Sequence, residues 1–139
     1  MCRRLFAIVL MLAVPLIGVV AAAPVSAQTT PTIAVTSATL VAKGAAVDVG
    51  LAVTCEPGDG GTAYVSVTQR SGNTITQGSG AENINACTGQ SQIVTVRALL
   101  YSGSAPFKKG DGAVDATFQQ CTQQGVCQDA NVKGTVRIK

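Results

Sequence analysis

The chain has 139 residues, ten basic and seven acidic side chains, a net charge of +3, and neither histidine nor tryptophan. Without histidine there is no imidazole base for a serine or cysteine hydrolase and no imidazole for the usual zinc sites. The near balance of charge excludes the broad positive field that nucleic acid or anionic lipid requires.

Residues 1–27 carry the secretory signal pattern: Arg3 and Arg4, an uncharged apolar run from Leu5 to Val20, and the small-residue tail Ala21-Ala22-Ala23-Pro24-Val25-Ser26-Ala27. Val25 and Ala27 occupy the small positions that a signal peptidase reads, which sets the cut after Ala27; a cut after Ala23 is the alternative. The uncharged stretch, at about 20 residues once it runs on into the small-residue tail, also has the length to span a bilayer. A leader retained as a membrane anchor is therefore a second reading. Cleavage removes Cys2 and leaves four cysteines in residues 28–139, a single domain by its size. An even cysteine count in a small exported domain reads as a disulfide framework.

Strand signals follow in chain order. Ile33 and Val35 begin a first strand that runs towards Leu40. Val47, Val49, Leu51, Val53 and Cys55 alternate with Asp48, Gly50, Ala52 and Thr54, and a period of two puts the first set on one face. Val65 and Val67 mark a third strand. Segment 73–86, with Gln77-Gly78-Ser79-Gly80 inside it, lacks apolar alternation and reads as a short edge strand plus loop. Val94, Val96 and Ala98 form the next strand, then Val114, Ala116 and Phe118, and finally Val132, Gly134, Val136 and Ile138. Between them stand the turn signals Lys43-Gly44, Pro57-Gly58-Asp59-Gly60-Gly61, Ser71-Gly72-Asn73, Thr88-Gly89 and Lys109-Gly110-Asp111-Gly112. No window carries a helical stripe. About seven strands at this spacing predict an all-β fold, an antiparallel immunoglobulin-like β-sandwich.

Four cysteines allow three pairings. Cys55–Cys87 and Cys121–Cys127 are favoured: the second clamps the turn before the last strand, and the first ties the middle loop to one end of the domain. On the loop-entropy model the longer closure is worth about 3.5 kcal/mol and the shorter about 2.5 kcal/mol. The alternative Cys55–Cys121 bridge meets a phase mismatch, because Cys55 is in step with the dry face of its strand and Cys121 is out of step with Val114, Ala116 and Phe118.

No catalytic, cofactor or metal site is expected. The acids Asp48, Glu56, Asp59, Glu82, Asp111, Asp115 and Asp129 are scattered through turns and wet strand faces. Glu56 and Asp59 alone fall short of the oxygen count that calcium needs. Gly78-Ser79-Gly80 has no strand-to-helix frame and is not a phosphate loop. Aromatic residues of the domain are Tyr64, Tyr101, Phe107 and Phe118. Tyr101 and Phe107 bracket a loop that either presents both rings or uses one to staple itself to the domain. The glutamines Gln119, Gln120, Gln123, Gln124 and Gln128 crowd the last disulfide loop and offer uncharged hydrogen-bonding groups that suit either a contact surface, with Gln123 and Gln124 as its candidates, or a soluble turn.

The Val-rich strand ending at Cys55, the Gly-rich turn after it and the Cys121–Cys127 pair before the last strand resemble small secreted actinobacterial proteins with immunoglobulin-like folds. That resemblance implies an extracellular address and no established activity. Cys121 and Cys127 are also similar to the late bridge in the apoproteins of the enediyne chromoprotein antibiotics. The wider spacing of Cys55 and Cys87 and the scarcity of aromatic residues depart from that family, and none of its binding residues carries over.

The expected role is a secreted, monomeric, non-catalytic interaction or structural module. It would contact an extracellular protein or cell-envelope component through loops 101–111 and 122–126, with neither nucleic acid nor, after cleavage, a membrane as partner. The alternatives are a small-molecule carrier, which needs an apolar cleft, and a secreted inhibitor that presents the 121–127 loop.

Overall fold

A computed structural model describes residues 29–139; the leader read at 1–27 lies outside them. Seven strands fill it: β1 (Thr32–Val41), β2 (Ala46–Thr54), β3 (Gly60–Ser71), β4 (Thr74–Ile84), β5 (Gln92–Leu100), β6 (Gly110–Cys121) and β7 (Cys127–Ile138), with one 3-10 turn at Ala42–Gly44. The alternation seen in the sequence sets the faces. Val47, Val49, Leu51, Val53 and Cys55 all point inward, as do Ala63, Val65 and Val67 from β3, Val96 and Ala98 from β5, and Val114, Ala116 and Phe118 from β6.

The strands do not form a sandwich. They close into a barrel in the order β1-β2-β5-β4-β3-β6-β7, and β7 meets β1 again. Period-two alternation and strand number are the same for both architectures; closure is decided by backbone pairing at two narrow seams. At the first, Gly78 pairs with Leu100 and Ser79 with Leu99, and the Tyr101 N–H extends the contact by donating to the Gln77 carbonyl at 3.0 Å. At the second, Ala38 lies parallel to Ile138; Leu40 donates to the Lys139 carbonyl at 3.0 Å and Lys139 to the Ala38 carbonyl at 3.1 Å.

The first seam explains the Gly78-Ser79-Gly80 run. A Cβ on Gly80 would overlap the Arg97 carbonyl oxygen, and one on Gly78 would press on the Leu99 carbonyl. Only bare backbone lets β4 lie this close to β5. The same feature hid β4 from its pattern. Its inward positions include Thr76, Gly78 and Gly80, so an 11-residue strand, paired with β3 from Ser71↔Thr74 to Gly61↔Ile84, replaces the short edge strand plus loop.

Connections at the two barrel ends differ in chemistry. Both favoured disulfides are present, Cys55–Cys87 with a Cα separation of 5.5 Å and Cys121–Cys127 with 4.1 Å, and both lie at the end where β2, β4 and β6 finish. At this disulfide end the buried Gln120 accepts from the Glu56 N–H at 3.2 Å and donates to Asp59 Oδ2 at 2.9 Å. The opposite end is plugged by Phe107, only 2% exposed, whose N–H donates to the Gly44 carbonyl at 2.9 Å. There the buried Gln69 exchanges two 2.8 Å bonds with Lys108, donating to its carbonyl and accepting from its N–H. One buried amide at each end thus satisfies loop backbone that would otherwise be stranded away from water.

Disulfides persist in oxidising compartments outside the cytoplasm, so the chain carries the chemistry of an oxidising setting. Among the described residues no helix is long and apolar enough to cross a membrane.

Candidate functional site

The residues singled out as a contact surface are not brought together. Tyr101, 45% exposed, and Phe107 belong to the plug end, while Gln123 and Gln124 stand exposed in the disulfide-end turn. Of the two readings of the 101–107 loop, the staple holds: Phe107 is in the core, so Tyr101 is the only one of the pair at the surface. The glutamine cluster divides too, since Gln120 is the buried hub described above.

A concavity lies elsewhere, on the outer face of the barrel wall. A groove of about 560 Å³ runs over β4, β3 and β6, lined by Tyr64, Ser66, Ser79, Ala81, Asp115 and Thr117, with the backbone of Val65 and Gly80 between them. A second depression of about 500 Å³ continues it over β6 and β7, sharing Ser66 and Asp115 and adding Thr68, Lys133 and Thr135. The volumes are those of small-ligand sites, although the groove is open to solvent rather than enclosed.

Register explains this assembly. On β3 the residues at 63, 65 and 67 point inward, which turns Tyr64, Ser66 and Thr68 outward. Tyr64 stands between Ala81 of β4 and Thr117 of β6, and Ser66 between Ser79 and Asp115. Beside these small neighbours Tyr64 is 47% exposed. Lys133 of β7 is opposite Asp115, and its Nζ reaches Asp115 Oδ2 at 2.6 Å. The Thr117 hydroxyl donates to Asn131 Oδ1 at 2.7 Å. The floor is therefore an aromatic ring, a row of short hydroxyls and one carboxylate whose charge is already matched.

Two carboxylates elsewhere on the barrel are held by specific partners. The Arg97 guanidinium grips Asp48 with two bonds of 2.7 and 2.9 Å, which holds the Asp48 carboxyl below its ordinary value and raises Arg97. At the disulfide end, hydrogen bonds from the Thr29 side chain and from its N–H, the latter at 2.7 Å, lower Glu56. Glu56 and Asp59 are thus engaged by Thr29 and Gln120. Among the described residues no three His, Cys, Asp or Glu side chains come together to hold a metal ion.

The groove residues carried one usable sequence signal. Tyr64 is an aromatic residue at the polar phase of an alternating strand, where solubility alone favours a smaller side chain. Ser66, Ser79, Asp115 and Thr117 carried none, since only the cross-strand register unites them.

No protein-family model matches the chain, and a search of curated proteins finds none similar in sequence.

Proposed function

We propose that this protein is a secreted, non-catalytic binding module that acts on an extracellular or cell-envelope partner, and that its contact surface is the groove over β4, β3 and β6 rather than the loops at the barrel ends. The observation that carries this reading is the groove itself. A concavity of about 560 Å³ with a half-exposed tyrosine is centred on β3 and β6, which are paired on both sides, in a barrel stapled at one end by two disulfides. Recognition groups fixed on strands of a rigid scaffold lose little conformational freedom on binding. The signal pattern at 1–27 and the disulfides support an address outside the cytoplasm.

The test uses isolated actinobacterial cell envelopes, following the resemblance of the cysteine framework. Ser66→Arg and Ser79→Arg fill the groove from its floor without touching the core; Thr39→Arg places the same charge on the exposed face of β1. The proposal expects both groove variants to lose at least about tenfold in retention while Thr39→Arg keeps it, a difference of about 1.4 kcal/mol. Equal retention of all three variants removes the groove from the binding surface.

The small-molecule carrier is the second reading, favoured by the concavity on the barrel wall, which is open to solvent and would cover one face of a ligand.

A further inference from the structure

The reading above leaves the chemistry of the partner open, and the groove restricts it. Resting on that reading, we infer that the occupant is a neutral, polyhydroxylated chain, a glycan segment whose pyranose face stacks on Tyr64 and whose hydroxyls bond across the strands to Ser66, Ser79 and Asp115.

The groove's charge comes first. Its acid, Asp115, is paired with Lys133 at 2.6 Å, and the other outward ion pairs, Asp48–Arg97 and Asp111–Arg137, are matched in the same way. No excess of either sign remains on this floor to draw in a polyanion or a polycation, and the complementary ligand is uncharged.

The floor's backbone is the second restriction. β3 is paired with β4 and β6 along its length, and β6 with β3 and β7. Addition of a peptide strand needs a free sheet edge, which these two strands do not offer. On these two strands recognition falls to side chains alone.

Those side chains demand a ligand with two kinds of surface. An entirely apolar molecule would strip water from the Ser66, Ser79 and Asp115 oxygens without replacing their hydrogen bonds, at a cost of about 1–3 kcal/mol for each group. An entirely polar one would leave the Tyr64 ring without a partner. A pyranose carries an apolar face of C–H groups and an equatorial rim of hydroxyls, which supplies both. Neighbouring strands stand about 4.8 Å apart, a spacing close to the width of one sugar ring, so successive rings of a chain laid across β4, β3 and β6 meet successive rows of hydroxyls. The depression over β6 and β7, with Thr68 and Thr135, extends the same floor and accommodates a chain rather than a single sugar. No bond is made or broken; the interaction is binding alone.

Affinity electrophoresis of the purified disulfide-bonded protein tests this, with gels containing a soluble neutral glucan, mannan or galactan, and with an anionic polysaccharide for comparison. The inference expects at least one neutral polymer to retard the protein, its oligosaccharides to compete, and the anionic polymer to do no better. Tyr64→Ala should weaken the apparent affinity at least about tenfold, Tyr64→Phe should keep most of it, and Tyr101→Ala, an exposed tyrosine outside the groove lining, should leave it unchanged. Tyr64 faces solvent, so an unchanged thermal transition shows that its variants are folded. Retardation by no neutral polymer, or retardation that Tyr64→Ala and Ser79→Arg leave intact, overturns the inference. If the groove-filling variants abolish envelope retention while no neutral polymer binds, the binding surface stands and the glycan does not.

Discussion

The two ends of this barrel close it by different means. At the plug end hydrogen bonds complete the circuit: both seams, Gly78–Ser79 with Leu99–Leu100 and Ala38–Leu40 with Ile138–Lys139, lie in that half, and Phe107 fills the opening. Towards the other end β4 has no ladder with β5, and β7 none with β1. There the Cys55–Cys87 bond joins the end of β2 to the β4–β5 connection, and Cys121–Cys127 clamps the β6–β7 turn. The first bond stands beyond the point where β4–β5 pairing stops, whereas the second caps a β6–β7 ladder that is paired as far as Cys121↔Cys127. The groove lies between the two ends, on the continuously paired β3 and β6, and reaches the β4–β5 seam at Ser79.

Phe107→Ala should have the largest effect, because it removes a fully buried ring and uncovers the plug end. A loss of about 3–5 kcal/mol is expected in chemical denaturation; a loss under about 1 kcal/mol would mean that the plug does not hold that end. Replacing Cys55 and Cys87 together by alanine comes next, at about 3.5 kcal/mol from chain entropy. Hydrogen exchange should then quicken at the ends of β2 and β4 and change little around Phe107, which separates covalent from packed closure. Gly80→Ala follows, at about 1–3 kcal/mol, since its methyl must displace the Arg97 carbonyl and open the β4–β5 seam. A neutral result would show that this seam has slack.

Acid should have the smallest effect. Hydrogen bonds from Thr29 depress the Glu56 carboxyl below its ordinary 4.5. The ionised form is therefore favoured in the folded state. Its stabilisation is complete above that ordinary value and is lost as pH falls through the lower folded value. Asp48 follows the same sign through Arg97. Between pH 7 and pH 3 the wild type should lose slightly more stability than Glu56→Gln, with the difference read as exchange at the disulfide end.

Much of this arrangement was legible beforehand, and for identifiable reasons. β2 and β6 declared themselves through alternation because each buries one face continuously, and β7 did so although its inward face is only half-buried until Ile138. Both disulfides followed from parity after the leader and from where the cysteines stand relative to the strands. β4 did not, because Thr76, Gly78 and Gly80 replace the apolar residues that periodicity detects. Closure did not either, since a seam of two or three backbone bonds has no side-chain signature. Gln120 was grouped with its exposed neighbours, although its phase on β6, shared with Ala116 and Phe118, already pointed inward. Only Tyr64 hinted at the groove. Its companions sit on three strands far apart in the chain and meet only through the register Ser79–Ser66–Asp115.

Backbone-amide NMR of the disulfide-bonded protein, titrated with a soluble neutral polysaccharide fraction from cell envelopes, tests most directly whether recognition belongs to the barrel wall. The account predicts chemical-shift changes concentrated at 64–66, 79–81 and 115–117, with little change at 56–59, 101–107 or 122–126. Changes concentrated in either set of end loops, with the β3 and β6 floor undisturbed, would contradict it.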